Sequence, residues 1–330
     1  MGWLVRAIDA GGEFRNPLDD IEDGLFLTTG ARRAKTSQFW VLLVLASMIA
    51  AGGVVSDSTP AVIGAMIVAP LATPIYGVAL ATVIGSRRDL FASLRLLVAG
   101  VAVNIFLGFL IGQITFARMP LYANPQIIGR TAPTLLDLAV ALTVGVAGSF
   151  ALVRRDVSNI LAGVAIAISL VPVLAVVGIT LGSGRLDLAW GAFILFLANA
   201  AAIIVAGVTV FTAAGYARVA AERGLRPGRR AKILIAVFVI VLLVPLGAAS
   251  LRTYRYELWT NAANNAATRW VEGTKWKVQY VKQEGGDIVI TAIGPDDPPP
   301  IGDLRRAVRK EVPTQIGVRI VEDSGNTSEL

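Results

Sequence analysis

From Phe39 to Ile84 the chain is apolar almost without interruption, and its only charge is Asp57. A helix needs about 20 apolar residues to cross a hydrocarbon core, so this run is long enough for two passes. "SDSTP" (56–60) supplies the turn between them, with Pro60 at a first-turn position. The same measure predicts seven spans, at about 38–56, 60–84, 90–114, 134–153, 157–181, 187–212 and 232–251. The expected fold is an all-α polytopic membrane protein with a small C-terminal α+β domain.

Composition agrees: 55% of the residues are hydrophobic and 16% charged, with a mean hydropathy of +0.67, too apolar for a soluble domain. The chain has no Cys and no His. That removes disulfides, thiolate metal sites, the usual general base and the usual pH switch, so neither a cofactor nor a metal is expected. The net charge of +7 fits Lys and Arg gathered in cytoplasmic loops better than nucleic-acid binding.

Loop charge sets the orientation. With the N-terminus in the cytoplasm, "ARRAK" (31–35), "SRRD" (86–89), Arg154–Arg155 and "RGLRPGRRAK" (223–232) all fall inside. Arg118, Arg130 and Arg185 fall outside, joined by Arg252, Arg255 and Arg269 after the last span. The first apolar run begins only at Phe39, so internal signal-anchor insertion into the cell's inner or plasma membrane is expected. The segments then read as follows: 1–36 cytoplasmic, 37–114 a first transmembrane unit, 115–133 an outer loop, 134–214 a second unit, 215–231 a basic cytoplasmic loop, 232–251 the seventh span, and 252–330 an extracytoplasmic domain. Within 1–36, Leu18, Ile21 and Leu25 are spaced like one face of a short helix.

The tail predicts an αββαβ order. "KWKVQYVK" (275–282) alternates like a half-buried strand, "EGGD" turns it into "DIVITAI" (287–293), Ile301, Leu304, Val308 and Val312 share a helical face, and "IGVRIV" (316–321) closes as a strand.

A shift of 98 residues lays "TPIYGVALATVIGSRRDL" (73–90) over "VPVLAVVGITLGSGRLDL" (171–188), matching Pro74 with Pro172 and Thr82 with Thr180. A shift of 99 matches Asp57 with Asp156 and Gly64 with Gly163, and one of 95 matches Asn104 with Asn199. Each unit thus holds three spans, an odd number, so the second copy crosses the membrane inverted: a 3+3 inverted repeat plus one helix. In transporters of this architecture, paired Gly/Pro-interrupted segments meet near the midplane and form the site. Pro70, Pro74 and Pro172 lack N–H donors and push away the carbonyls of Met66, Pro70 and Ile168, which lipid tolerates only inside protein or beside a wet cavity. Gly64, Gly77, Gly163 and Gly178 flank the breaks and are expected to allow close backbone approach, and Thr73 and Ser169 offer hydroxyls there. The plainer alternative is an ordinary proline kink.

Gly100, Asn104, Gly108 and Gly112 share one helical face, and Asn199, Ala202, Ala206 and Gly207 another. Small residues let helices approach and an amide can bridge them, so packing and pathway lining both remain open. Asp57 and Asp156 read as helix-end residues suited to an N-cap. Asp137, a few residues past Pro133, is the intramembrane acid with the better claim to function.

"DSTPAVIGAMIVAPLATPI" (57–75), "GVAIAISLVPVLAVVG" (163–178) and "LFLANAAAII" (195–204) resemble the bacterial and archaeal membrane proteins grouped as the domain of unknown function 389 family. The resemblance extends over roughly 37–214. That family often carries a double proline after Leu-Val, where this chain has Pro172 followed by Val173. The resemblance implies a polytopic bacterial membrane protein and implies no activity.

The residues themselves favour a transporter or channel for a small solute or ion over an enzyme. The alternative is a membrane-embedded sensor or scaffold with the C-terminal domain as its recognition part. The expected partners are the lipid bilayer, the solute and a second copy of the chain, not nucleic acid.

Overall fold

The computed structural model describes residues 14–115, 121, 124–131, 133–156, 170–225, 247, 255, 258–284, 287–294, 298–314 and 316–323. Gly163, Ser169 and nearly all of the seventh predicted span (232–251) lie outside the described residues, as does the first half of the fifth (157–181). The chain divides into two compact units, Met1–Gly247 and Ala248–Leu330.

In the first unit the helices are α1 (Leu18–Leu25), α2 (Arg32–Val55), α3 (Thr59–Val68), α4 (Ala72–Ile84), α5 (Arg87–Thr115), α6 (Pro125–Ile128), α7 (Leu135–Val153), α8 (Leu170–Gly182), α9 (Leu186–Ala213) and α10 (Tyr216–Glu222). Among the described residues, α2, α5, α7 and α9 are long and apolar enough to cross a membrane, and α3 with α4 forms a fifth, bent candidate. α2 begins at Arg32, earlier than its apolar run, and its first turn carries the basic residues.

The span predicted over 60–84 is two helices meeting at 43°. Ala69, held extended (φ −69°, ψ 127°) as a residue before proline prefers to be, ends α3. Pro70 then has no N–H to offer the carbonyl of Met66. Pro74 does not break the helix a second time, contrary to its sequence reading. It lies in the first turn of α4, where no intrahelical N–H is needed, and the Pro70 carbonyl accepts from the Thr73 N–H at 3.1 Å. Pro172 lies buried in α8, which is described from Leu170 onward.

α4 and α8 end alike. A left-handed glycine follows each (Gly85, φ 80°; Gly184, φ 73°), and the Ser86 and Arg185 N–H groups return to the carbonyls of Ala81 and Thr180 at 3.0 and 2.8 Å. Thr82 and Thr180 each donate to the carbonyl four residues back at 2.7 Å. These two helices are the most enclosed, with every residue of α4 except Thr73 buried.

Glycine sets the helix crossings. A Cβ on Gly108 would sit 2.7 Å from the Ala175 carbonyl oxygen, and one on Gly112 2.5 Å from that of Ile179, so α5 and α8 touch backbone to backbone. Gly207 of α9 lies over Ala79 of α4, and Gly145 of α7 over Ile203 and Ala206 of α9. Small residues permit this approach where lipid gives no hydrophobic drive between helices.

Two short helices close the ends. The face of α1 buries Leu18, Ile21 and Leu25, as their spacing predicts. Before it, Asn16 donates from Nδ2 to the Leu152 carbonyl at 2.8 Å, near the end of α7. Before α6, Asn124 donates from Nδ2 to the Val54 carbonyl at 2.8 Å, near the end of α2. The "NP" pairs thus cap the last turns of α7 and α2, where carbonyls lack intrahelical donors.

The second unit has a helix over 258–271 (α11), strands β1 (Lys277–Glu284), β2 (Asp287–Ile293) and β3 (Val318–Asp323), and α12 (Ile301–Arg309). The sheet order is β1-β2-β3, with β1–β2 antiparallel and β2–β3 parallel. The crossover through α12 is what permits the parallel pair. Ile288, Ile290, Leu304, Val308, Val312 and Ala263 form its core.

Candidate functional site

The proline break at Ala69–Leu71 lies against α5, where a Cβ on Gly100 would meet Leu71, Leu43 and Phe39. Met66, Pro70 and Thr73 are half-buried and Pro74 and Pro172 fully buried. Gly64 makes no close approach: a Cβ there would meet nothing within 4 Å. Gly77 and Gly178 do, against Ser93 and the α5 backbone respectively. Gly163 and Ser169 fall outside the described residues.

Along the buried stripe of α5, one turn separates Gly100, Asn104 and Gly108. Asn104 is 0% exposed, and neither its Oδ1 nor its Nδ2 has a hydrogen-bond partner. Asn199, on the buried face of α9, is 5% exposed with an unpartnered Oδ1. An orphaned buried amide costs about 1–3 kcal/mol per group, so neither asparagine acts as a helix-bridging amide here.

Asp57 sits in a helix-end turn, as its sequence reading has it, though not as the N-cap of α3. It closes the α2–α3 turn in the left-handed region (φ 50°), and Ser58 caps instead, accepting from the Ala61 N–H at 3.4 Å. Asp156 caps no described helix; it pairs with Arg154, which donates to it from Nε at 2.7 Å. Asp137 is in the first turn of α7, in a capping box with Thr134. Its Oδ2 accepts from the Thr134 N–H at 2.8 Å and the hydroxyl at 2.7 Å.

Asp137 also lines a cavity of about 240 Å³ with Gly129, Arg130, Leu195 and Asn199. Arg130 hangs from the turn after α6, and its Nη1 donates to the Gln126 backbone and side-chain oxygens at 2.8 and 3.0 Å. Gln126 in turn donates to the Thr59 hydroxyl at 2.9 Å, which ties this turn to the start of α3. Burial pulls the guanidinium below its ordinary pKa. Its Nε is sealed without an acceptor, and among the described residues no carboxylate pairs with it. The cavity therefore holds a cation, an anion that does not touch it, and an unsatisfied amide.

Sequence reasoning chose Asn104, Asn199 and Asp137 and missed Arg130, Gln126, Asn16 and Asn124. The "NP" dipeptide ahead of both first helices, and "TLLD" (134–137) with its capping-box spacing, were available signals. Nothing in the sequence distinguishes Arg130 from any other outer-loop cation.

Residues 66–205 match the family described as Domain of unknown function (DUF389). An uncharacterized protein of Methanocaldococcus jannaschii is 33% identical over 175 residues, 53% of this chain and 53% of its own length. The chain thus spans about half the length of that curated relative. The part of the chain that is similar to the DUF389 family, residues 66–205, holds the proline break, Asn104, Arg130, Asp137 and Asn199.

Proposed function

We propose that this protein is a bacterial inner-membrane transporter or channel for a small solute, its path running between two inverted three-span units, with the N-terminus in the cytoplasm and residues 252–330 outside. The observation that carries the reading is the Asn104 amide, sealed on the buried stripe of α5 one turn from Gly100, which meets the proline break, with both polar atoms unpartnered. Lipid-embedded amides find partners or face a path.

The repeat draws support from several correspondences. α4 and α8 end at matching residues, Ile84 and Gly182, at a shift of 98. Their ends and their threonine back-bonds agree. α5 packs on α8 through Gly108 as α9 packs on α4 through Gly207. The Asn16–Leu152 and Asn124–Val54 bonds exchange the halves. A twofold axis in the membrane plane would produce all of these. Lacking His and Cys, the chain is proposed to move solute rather than transform it, in contact with lipid and a second copy of itself and without nucleic acid.

Purified full-length protein in liposomes, challenged osmotically with a panel of small solutes, tests this. At least one solute should enter faster than into protein-free liposomes, and Asn104→Leu should abolish the difference. Thr73→Cys should react with an impermeant thiol reagent. Liposomes as tight as empty ones to every solute, with an inert Thr73→Cys, would remove the reading.

A second reading, sensor or scaffold, is favoured by the separate core of the C-terminal unit and its cleft, lined by Ile301, Leu304, Arg305 and Arg309. Flux that survives deletion of 252–330 would make that unit accessory.

A further inference from the structure

We propose that the cavity between the Arg130 turn, α7 and α9 is a binding site for a small zwitterion, a carboxylate or phosphate facing Arg130 and an ammonium facing Asp137 and Asn199. Arg130 and Asp137 line the same space of about 240 Å³ and do not pair with each other. Each is pinned by its own neighbour instead: Arg130 by Gln126 at 2.8 and 3.0 Å, Asp137 by Thr134 at 2.7 and 2.8 Å. Opposite charges fixed apart across a small cavity form a dipole, and a molecule carrying both signs at short separation is its complement.

The remaining groups agree. A guanidinium whose Nη1 is anchored presents a directional donor to an oxyanion, and half-burial without a counter-ion leaves it short of one. Asn199, with an unpartnered Oδ1 and 5% exposure, adds an acceptor for an ammonium N–H. Asp137 Oδ2 is occupied by Thr134, which leaves Oδ1 for the same ammonium. Val140, Ala141, Val144, Leu195 and Ile203 make the rest of the wall apolar, suited to a short alkyl group. The volume is below the about 300–1,000 Å³ typical of drug-sized ligands, which limits the ligand to a few heavy atoms.

Two sources offer this chemistry: a free amino acid, and the phosphate–ammonium headgroup of phosphatidylethanolamine, since Val140 is exposed on α7. The inference deepens the transport reading and rests on it only for the claim that the bound solute moves on.

Calorimetric titration of the full-length protein in phospholipid-free detergent separates the sources. L-alanine is the soluble probe, acetate and ethylammonium are its two halves, and dioleoyl-phosphatidylethanolamine is the lipid. L-alanine is expected to bind at least tenfold more tightly than either half, and Arg130→Gln and Asp137→Asn are each expected to remove the binding. Binding of the lipid alone, with the same dependence on both residues, keeps the zwitterion site and assigns it to a headgroup. No binding of either zwitterion, or acetate binding as well as L-alanine, overturns the proposal. If Arg130→Gln does not fold, Asp137→Asn carries the test, because an asparagine oxygen still accepts from Thr134. Flux is read separately: zwitterion binding with no solute moved leaves the site and removes transport, while transport of another solute without zwitterion binding does the reverse.

Discussion

Gly178→Ala isolates the contact on which the bundle's centre depends. A Cβ at Gly178 would stand 2.7 Å from both the Gly108 Cα and the Phe109 backbone nitrogen, inside the 3.4 Å of ordinary contact. The opposing atoms are backbone in the middle of a long helix, so no side chain can swing aside. The Ile105 carbonyl oxygen stands closer still, so α5 and α8 would have to separate by more than about 0.7 Å to restore contact distance, and overpacking of this kind costs about 1–3 kcal/mol. The control is Gly64→Ala, where the added methyl meets nothing within 4 Å. Removing a helical glycine there should stabilise by about 0.5–1 kcal/mol. The two single-methyl variants should therefore differ by about 1.5–4 kcal/mol in opposite directions from wild type. Unfolding of purified protein in mixed micelles of rising SDS fraction, followed by far-UV circular dichroism, measures both. Equal midpoints for the two variants would refute the close crossing of α5 on α8, and with it the placement of Asn104 in a tight seam.

Asn16→Ala should cost about 0.5–1.5 kcal/mol through one lost hydrogen bond, and Asn124→Ala should cost more, because Asn124 also caps α6 by accepting from the Gln126 and Ile127 N–H groups; the two should expose the ends of α7 and α2 respectively to hydrogen exchange, read by mass spectrometry. Asp19, which accepts from Arg223 at 2.8 and 3.0 Å, is held below the ordinary carboxylate range by that bond. Its contribution to docking α1 is full above the unfolded pKa and is lost as pH falls through the lower folded pKa. Protection of residues 14–25 should thus hold near neutrality and fall once the pH drops below the ordinary carboxylate range, a fall that Asp19→Asn abolishes. Ile290→Ala, fully buried on the central strand β2, should cost about 2–5 kcal/mol, enough to make the C-terminal unit protease-sensitive while α2–α9 stay protected.

Much of this was legible because each signal was local. The apolar lengths identify α2, α5, α7 and α9, Pro70 announces the break, and the alternation in 277–284 and 287–293 announces a hairpin. The four-residue spacing of Gly100, Asn104, Gly108 and Gly112 identifies the buried stripe of α5. Other readings failed because they needed a neighbour. Gly64 and Gly178 look alike in sequence, yet only the second has a backbone opposite it. Pro74 looks like a second break until its place in the first turn of α4 is known. Arg130 looks like any outer-loop cation until the helices bring it to the same cavity as Asp137 and Asn199.

By itself, the order of residues determined where helices run, where one is interrupted and which faces are smooth enough to pack, because propensity, hydropathy and proline act within a few residues of one another. Tertiary structure alone decided that Asn104 has no partner, that Asn16 and Asn124 reach the ends of α7 and α2, and that Arg130 and Asp137 line one cavity without pairing. Those facts depend on distances between segments up to 136 residues apart, which only the packing of the helices fixes.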